Sequence, residues 1–477
     1  MRLPKAYRPD PRFPGLGPEF YDPVAPADFP KSEIRFRNNR IAKRIGLDGL
    51  SDAAWVQAFA RFEPLPQNLS EPLALRYHGH QFRTYNPDLG DGRGFLFAQL
   101  REEGTGRLLD LGTKGSGKTP WSRAGDGRLT LKGAVREALA TEMLEALGVP
   151  TSKTLSVIET GEDLHRHDEP SPTRSAVLVR LSHSHVRFGT FQRLAYFDRA
   201  DLIARLVDYA IELYYPALVP VAAAERPAAL LDAVVERSAH LAAAWTAAGF
   251  VHGVLNTDNM NITGESFDYG PYRFAPRYDP QFTAAYFDEH GLYAFGRQAE
   301  AVYWNLAQLA GCLALVADAD VLTDVLNRYS EHWPNALRAA FVTRLGVQPK
   351  TPEEDSALAQ ALLKLLAAGG DALRWEPLFF DWFGGEASRE RAMRGPRADL
   401  YRGEAFAAFE AALEGYAPER PERLDAPYFA RPEPQELLYD EIETIWAAIA
   451  DHDDWAGFHR KLEAIGEARE ALSIAVP

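Results

Sequence analysis

The spacing of apolar positions changes along the chain and predicts two kinds of architecture. Between about residues 77 and 200, short apolar runs favour strands, and one longer stretch, Leu131–Leu147, has the spacing of an amphipathic helix and stops at Gly148. Beyond about residue 200 the helical spacing dominates. The predicted strands are Phe95–Leu100, Leu108–Gly112, Leu155–Glu159 and Ala176–Leu181. The predicted helices of the second part are Asp201–Tyr215, Ala228–Ala248, Gln298–Leu315, Val321–Leu345, Glu353–Ala368, Glu404–Leu413, Pro434–Ala450 and Asp454–Leu472.

Three segments show neither spacing. Residues 1 to about 30 are rich in proline and aromatic side chains and predict an extended arm lying on a surface. Residues 31–46 carry six lysine and arginine side chains, and we interpret them as a solvated face. Residues 373–402 are aromatic-rich and predicted to be irregular, and packing between helices is favoured over a binding surface.

Composition excludes several classes of function. The 477 residues suffice for two lobes, and a net charge of −15 argues against a nucleic-acid partner. The single cysteine, Cys312, excludes an intrachain disulfide and a cysteine-based zinc site, and its apolar neighbours predict a buried thiol. The N-terminus has no apolar signal core, and no apolar run is long enough to span a bilayer. We therefore predict a cytoplasmic location and no membrane partner.

One short stretch in the helical part holds the strongest candidates for chemistry. Asp258 and Asn259 follow His252, and Asp268 comes ten residues after Asp258 in an Asp-Tyr-Gly triplet. A protein-kinase catalytic loop has His-Arg-Asp, an Asn five residues after the Asp, and a downstream metal-binding Asp-Phe-Gly. On that template the catalytic base position holds Val254, which cannot accept a proton. Asn259 and Asp268 supply the oxygen ligands that Mg²⁺ prefers, and Asp258 is a candidate proton acceptor. The alternative is an Asx-turn that caps local backbone.

A glycine-rich loop precedes the first predicted strand. Gly90 and Gly92 would let backbone N–H groups approach phosphate oxygens, and Arg93 could point a guanidinium at a phosphate. The same glycines are also typical of an ordinary turn.

A lysine and a glutamate after this loop have the order of a kinase ion pair. Lys114 ends a predicted strand, and Glu137 lies on the predicted helix 23 residues later. In kinases a strand lysine holds phosphates and is itself held by a helix glutamate. The alternative is that Glu137 is an ordinary exposed helix charge.

This order of loop, strands and helix predicts an α+β, protein-kinase-like two-lobe fold. We place a mixed β-sheet N-lobe at residues 76–190 and a largely helical C-lobe at residues 191–345. Residues 1–75 are an N-terminal extension, and residues 346–477 are a C-terminal helical extension.

A second phosphate-binding pattern overlaps the lysine. Residues 112–119 satisfy the Walker A pattern, which requires a helix to begin at its Lys118-Thr119. Pro120 follows instead, then a glycine-rich loop, so a true P-loop is disfavoured. Asp126 and Gly127 in that loop remain candidates to contact a nucleotide.

Further basic and imidazole side chains follow. Arg180 and Arg187 flank a short segment and could clamp a polyphosphate, although isolated arginines more often lie on the surface. Three His-x-His pairs, at residues 78/80, 165/167 and 183/185, suggest metal sites, but without further ligand spacing packing or turn roles are favoured.

Together these strings closely resemble the selenoprotein-O family of kinase-like protein adenylyltransferases. The resemblance covers about residues 75–310. The matching strings are Tyr77-His78-Gly79-His80-Gln81-Phe82, Leu89-Gly90-Asp91-Gly92-Arg93, Lys114-Gly115-Ser116-Gly117, Thr119-Pro120-Trp121-Ser122-Arg123, Arg187-Phe188-Gly189-Thr190-Phe191, His252-Gly253-Val254, Asn256-Thr257-Asp258-Asn259-Met260 and Trp304-Asn305-Leu306.

The resemblance implies an activity and roles for residues. Enzymes of the family bind ATP in a flipped orientation and transfer AMP to Ser, Thr or Tyr hydroxyls of proteins. It implies that Asp258 is the proton acceptor, that Asn259 and Asp268 ligate Mg²⁺ or Mn²⁺, and that Glu137 pairs with Lys114. The residues implied to hold ATP are Gly90, Gly92, Arg93, Lys114, Asp126, Gly127, Arg180, Arg187 and Asp268.

Two departures and two alternatives remain. Arg83 follows Phe82 where the family commonly has glycine, and the family's C-terminal Cys or selenocysteine has no counterpart here, so redox control by that route is not expected. The alternatives are a γ-phosphate-transferring kinase and an ATP-binding pseudokinase scaffold without catalysis. No base-reading residues are evident, so UTP in place of ATP stays open.

Overall fold

A computed structural model describes residues 4–167 and 169–475. Its strands are β1 Tyr21–Pro23, β2 Glu33–Arg37, β3 Leu73–Leu75, β4 Gly79–Gln81, β5 Thr84–Asn86, β6 Gly94–Arg101, β7 Leu108–Lys114, β8 Leu129–Thr130, β9 Lys153–Leu164, β10 Thr173–Ser182, β11 Phe250–Val251 and β12 Arg273–Phe274. Its α-helices are α1 Asn39–Arg44, α2 Asp52–Phe59, α3 Leu131–Ala146, α4 Phe188–Tyr196, α5 Ala200–Tyr214, α6 Arg226–Ala247, α7 Gln298–Leu313, α8 Ala319–Asn327, α9 Tyr329–Arg344, α10 Pro352–Gly369, α11 Trp375–Asp381, α12 Arg389–Arg394, α13 Glu404–Leu413, α14 Tyr439–His452 and α15 Ala456–Leu472.

One large sheet organises the first part of the molecule. Its strand order is β1-β3-β6-β7-β10-β9-β2, with β8 paired to β10. All of these pairings are antiparallel, so the predicted mixed sheet is wrong. The physical reason is that β6–β7 and β9–β10 are joined by short connections, whereas parallel neighbours need long crossovers. The α+β class itself is confirmed.

Alternating side chains cover the two faces of this sheet with different partners. Phe97 on β6 and Val177 on β10 pack on one face against Trp55 and Phe59 of α2. Leu178, the next residue on β10, belongs to the core on the other face, with α3 and the helical part of the chain. This period of two is the spacing that predicted the strands.

Helix ends follow local capping signals. The Thr130 hydroxyl accepts a hydrogen bond from the Gly133 N–H at the start of α3, and Gly148 has a φ of +78° just after its end. Thr351 and Glu354 form a capping box at the start of α10. Helices with such signals lie within one or two residues of their predicted bounds.

Other predictions of the second part need correction. The predicted helix Val321–Leu345 is two helices, α8 and α9, which meet at Arg328. Apolar spacing continues across that point and does not reveal the break. Residues 373–402 are not irregular throughout, because they contain α11 and α12, and their aromatic side chains are buried as predicted. In the described part of the chain, no helix combines the length and apolar character needed to cross a membrane.

The N-terminal segments, which were predicted to be a surface arm and a solvated face, are part of the large sheet and its surroundings. Residues 1–75 contribute β1, β2 and β3 to the large sheet, although Met1–Leu3 lie outside the described residues. The basic run is structured as β2 and α1, and its interpretation as a solvated face is only partly right, because Lys31, Arg40 and Lys43 are exposed whereas Arg35 is not. Arg35, only 11% exposed, pairs with Glu159, and Arg40 pairs with Glu142. Arg35 is drawn inward because the buried carboxylate of Glu159 on β9 needs a partner, whereas Arg40 reaches Glu142 of α3 from the surface.

Candidate active site

A cleft of about 790 Å³ lies where β6, β7 and β10 meet the loop that follows β11. It brings together every predicted nucleotide, metal and proton-acceptor residue, although these span from residue 90 to residue 268 of the chain. The predicted residues that line it are Gly90, Gly92, Arg93, Lys114, Asp126, Gly127, Arg180, Arg187, Asp258, Asn259 and Asp268.

The closed end of the cleft is a network of buried charges. Lys114 Nζ lies 2.7 Å from Glu137 Oε2, as the spacing predicted, and 3.3 Å from Asp268 Oδ1. Arg180 Nη1 donates to the same Asp268 oxygen and lies 3.6 Å from Glu137 Oε1. Lys114 and Arg180 converge because β7 and β10 are adjacent, with Leu178 opposite Lys114. Glu137 reaches them from α3.

Arg187 completes the network from the N-cap position of α4. Its Nη2 lies 3.1 Å from Asp268 Oδ2, and its Nη1 lies 2.9 Å from Asp91 Oδ1. Its guanidinium stacks over the Tyr77 ring at 4.2 Å. Asp91 was not among the predicted site residues. It sits between the two glycines of the loop, where an acidic side chain is the only signal that could have suggested an arginine partner.

Asp268 is held as an anion. Burial alone would raise its pKa, but Arg180, Lys114 and Arg187 outweigh burial and keep the pKa well below its ordinary value. Its backbone has a φ of +63°, which is uncommon for a residue with a side chain and marks a constrained position.

Asp258 has the opposite environment. Burial raises the pKa of its carboxyl to about 7, against the lowering effect of Arg187. Its Oδ1 is buried and has no hydrogen-bond partner. A buried carboxyl that is half ionised near neutral pH is suited to accept a proton.

The Tyr77–Phe82 string supports the loop that carries Asp258. The N–H groups of His80 and Phe82 donate to Thr257 Oγ1 at 2.7 Å and to Asn256 Oδ1 at 3.1 Å. A Cβ at Gly79 would lie 3.0 Å from Asp258 Oδ1, a tight contact, so glycine lets the string approach Asp258 without displacing it. Sequence reasoning used the string as a family marker and missed this supporting role.

Arg83, the departure from the family pattern, lies in the turn of the hairpin formed by β4 and β5. It has a φ of +63°, in the left-handed region that favours glycine. The position therefore suits the glycine that the family commonly carries, and here Arg83 pairs with Glu300 at 3.2 Å.

The Walker A pattern does not form a P-loop. No helix begins at Lys118, and Lys118 does not line the cleft. Thr119 instead donates its hydroxyl hydrogen to the Asp91 carbonyl at 2.6 Å. The segment with Thr119 and Trp121 therefore supports the glycine-rich loop at Gly90–Gly92. The two are so close that a Cβ at Gly90 would collide with the Trp121 ring.

The histidine pairs have mixed outcomes. His78 and His80 pack among aromatic rings, and His183 is buried. His165, His167 and His185 line the cleft, which the predicted packing or turn role did not include. Cys312 is buried, as predicted.

Asn259 and Asp268 present side-chain oxygens of the type that a hard divalent cation prefers. Asn259 donates from Nδ2 to the Val254 carbonyl at 2.9 Å, which turns its Oδ1 to the other side, and both Asn259 and Asp268 line the cleft. Among the described residues, no group of three or more His, Cys, Asp or Glu is arranged to hold a metal ion. Mg²⁺ is commonly held by one or two protein oxygens together with substrate phosphates, so a two-residue set is sufficient.

Comparison with known proteins decides the family. The family model described as "Protein adenylyltransferase SelO" matches residues 5–466. The chain belongs to the protein adenylyltransferase SelO family. It is 45% identical to the protein nucleotidyltransferase YdiU of Gloeobacter violaceus over 477 residues, which cover 98% of this chain and 96% of that protein. It is 43% identical to the Synechocystis YdiU over 481 residues, with 94% and 96% covered, and 50% identical to the Trichormus variabilis YdiU over 360 residues, with 75% and 73% covered.

Membership in the SelO family makes the chain a nucleotidyltransferase. The family predicted from the motifs and the class of enzyme are therefore confirmed. The family model also extends beyond the part of the chain in which the motifs lie, into both terminal segments.

Proposed function

We propose that this chain is a protein adenylyltransferase that transfers AMP from ATP to a Ser, Thr or Tyr hydroxyl of a protein, with the triphosphate bound tail inward. The observation that carries the proposal is the distribution of charge in the cleft. Three buried cations, Lys114, Arg180 and Arg187, converge at its closed end, whereas the carboxyl of Asp258, whose Oδ1 has no hydrogen-bond partner, lies on the loop after β11. A terminal phosphate among those cations leaves the α-phosphorus for the Asp258 side.

The proposal includes a kinase-like arrangement of two lobes around the cleft. The large sheet with α3 supplies the Lys114–Glu137 pair, and the helical part supplies the loop with Asp258 and Asn259. The pairing of a strand lysine with a helix glutamate supports this arrangement.

The residues of the chain would act in one displacement. The acceptor oxygen attacks the α-phosphorus, the bond from that phosphorus to the bridging oxygen breaks, and pyrophosphate leaves. Asp258 receives the hydroxyl proton, and Lys114, Arg180 and Arg187 hold the departing phosphates. Mg²⁺ or Mn²⁺, held by Asn259 and Asp268, would neutralise phosphate charge. Asp268 would then share its oxygens between the cation and the basic side chains.

Val254 helps to separate this activity from the alternatives. A kinase of the usual kind needs an acidic base where this chain has a valine, so transfer of the γ-phosphate is disfavoured. A scaffold without catalysis has no need of a buried carboxyl with a raised pKa and an oxygen that lacks a partner, because such a group destabilises the fold.

Two labelled forms of ATP test the proposal. The full chain is incubated with Mg²⁺ or Mn²⁺ and ATP labelled at the α- or the γ-phosphate, with and without a mixed protein acceptor. We expect the α-label alone to appear on the chain or the acceptor, and Asp258→Asn to suppress it. Transfer of the γ-label would support the kinase, and no transfer of either label would support the scaffold. Labelled UTP in parallel measures nucleotide preference.

A further inference from the structure

Two ion pairs connect the loop between β7 and β8, which holds Asp126 and Arg128, to the hairpin formed by β9 and β10. Arg166, between β9 and β10, donates from Nη1 and Nη2 to Asp126 Oδ2 and Oδ1 at 2.7 and 3.1 Å. Arg128 of the loop donates back to Glu162 of β9 at 2.7 and 2.9 Å. The pairs run in opposite directions and both are two-pronged, a geometry that fixes orientation as well as distance. The loop and the hairpin therefore form one wall.

The three residues that follow β9 face the cleft. His165, Arg166 and His167 all line it, next to Asp126 and Gly127. Arg166 is also fastened from its own side, because its N–H donates to Ser171 Oγ at 2.8 Å. Burial opposes ionisation of Asp126, but the hydrogen bonds from Arg166 and from the Arg128 backbone outweigh burial and lower its pKa. Asp126 is thus a fixed anion that can only accept hydrogen bonds.

The wall stands at the open end of the cleft. The side chains of Lys114, Arg180 and Arg187 at the closed end are 9%, 7% and 3% exposed. Those of Arg166 and Asp126 are 23% and 43% exposed. If the triphosphate enters tail first, the nucleoside must occupy the open end. Ribose hydroxyls and exocyclic amino groups donate hydrogen bonds to a carboxylate, and imidazole and guanidinium planes are surfaces on which bases stack.

We infer that residues 165–167, which follow β9, form the nucleoside-binding wall of the cleft, with Arg166 as the positioning residue that holds Asp126 toward the ribose and base. The inference rests on the proposed function for the direction of the nucleotide. It assigns a role to His165, Arg166 and His167, which take no part in the proposed transfer step.

The test compares a ligand that has a nucleoside with one that lacks it. Dissociation constants of ATP and of inorganic tripolyphosphate, each with Mg²⁺, are measured for the full chain and for Arg166→Ala. We expect ATP to bind about 10-fold more weakly to the variant, since a two-pronged charged contact is lost. Tripolyphosphate should bind within about twofold of the wild-type value, because it reaches only the closed end.

Two further variants serve as controls. Arg226→Ala removes a comparable ion pair, with Asp208 at 2.7 Å on the helical part, and should change neither dissociation constant. Arg166→Lys keeps the charge but loses the two-pronged geometry, and should recover part of the ATP affinity. A general loss of structure would weaken both ligands equally.

Equal weakening of ATP and tripolyphosphate by Arg166→Ala, or no weakening of ATP, would overturn the inference. These titrations need no transfer reaction, so they remain informative even if the wild-type chain fails to transfer the α-label. Failure of the proposed function and failure of the inference are therefore separable.

Discussion

The connection between β11 and β12 carries two aspartates removed from bulk water, Asp268 among the cations at the closed end of the cleft and Asp258 ten residues earlier, and the two behave in opposite ways. Asp268 is surrounded by three cations and is held ionised. Asp258 has an oxygen without a partner, and its pKa is about 7. Burial opposes charge at both sites, so the difference comes from the neighbours. Two carboxyl groups whose pKa values are pushed apart are suited to different tasks, here charge organisation and proton transfer.

The largest expected effect on the rate of transfer comes from replacing Asp268, the aspartate that is held ionised. In Asp268→Asn, three buried cations lose their shared anion and the proposed cation site loses a ligand. We expect the rate of α-label transfer to fall by about 10,000-fold. Single-turnover transfer at saturating ATP and Mg²⁺ measures this. A rate within tenfold of the wild type would show that Asp268 does not organise the reaction.

Removing the proton acceptor should cost less. Asp258→Asn keeps the shape of the side chain but cannot take the hydroxyl proton, and we expect kcat to fall by about 1,000-fold. The KM for ATP should be nearly unchanged, because the cations at the closed end are intact. A loss confined to KM would contradict the assigned role.

The acidity of Asp258 predicts the pH dependence. Its carboxylate accepts a proton only when ionised, and the pKa is about 7, so transfer should decline below pH 7. Between pH 7 and pH 5 the decline should be about 50-fold, because the ionised fraction falls from about one half to about one hundredth, while Asp268 stays ionised. A pH–rate profile of kcat measures this, and the residual activity of Asp258→Asn should lack the inflection. A wild-type profile that is flat over this range would remove Asp258 as the base.

The same pair of substitutions should change stability with opposite signs. Above pH 7 the wild-type fold carries the cost of a buried Asp258 anion, so Asp258→Asn should raise the free energy of unfolding by roughly 4 kcal/mol at pH 8. The gain should vanish as pH falls from 7 toward 4, where the carboxyl is protonated in the folded state and becomes protonated in the unfolded state. Asp268→Asn should lower the free energy of unfolding by roughly 2 kcal/mol at pH 8, because a paired anion is lost. Urea titrations measure both, and equal signs would contradict the contrast.

The smallest effect on catalysis is expected at Asp91, which orients Arg187 but is neither of the two contrasted aspartates. Asp91→Asn should raise the KM for ATP about 5-fold with less change in kcat, because Arg187 loses one of its two anionic partners. Asp88→Asn is a matched control, since Asp88 is exposed and does not line the cleft. Equal changes in the two variants would mean that the loop, and not Arg187, is affected.

Local patterns predicted much of the fold, and where they failed the reason is physical. Capped helices such as α3 and α10 match their predictions because a cap depends on neighbouring residues. The break between α8 and α9 was missed because apolar spacing runs on across Arg328. The antiparallel sheet could not be predicted from strand signals alone, since pairing depends on which strands meet in space.

The sequence by itself determined the chemical inventory of the site. Residue types and spacing were enough to select Lys114 with Glu137, the Asp258-Asn259 pair and Asp268, and to show that a kinase base is missing at Val254. Only the tertiary structure decided how these groups behave. The contacts of Asp91 with Arg187, of Gly79 with Asp258 and of Arg166 with Asp126 join residues far apart in the chain. Burial and Coulomb energy depend on distances through space, and those distances set one aspartate as a fixed anion and the other as a proton acceptor.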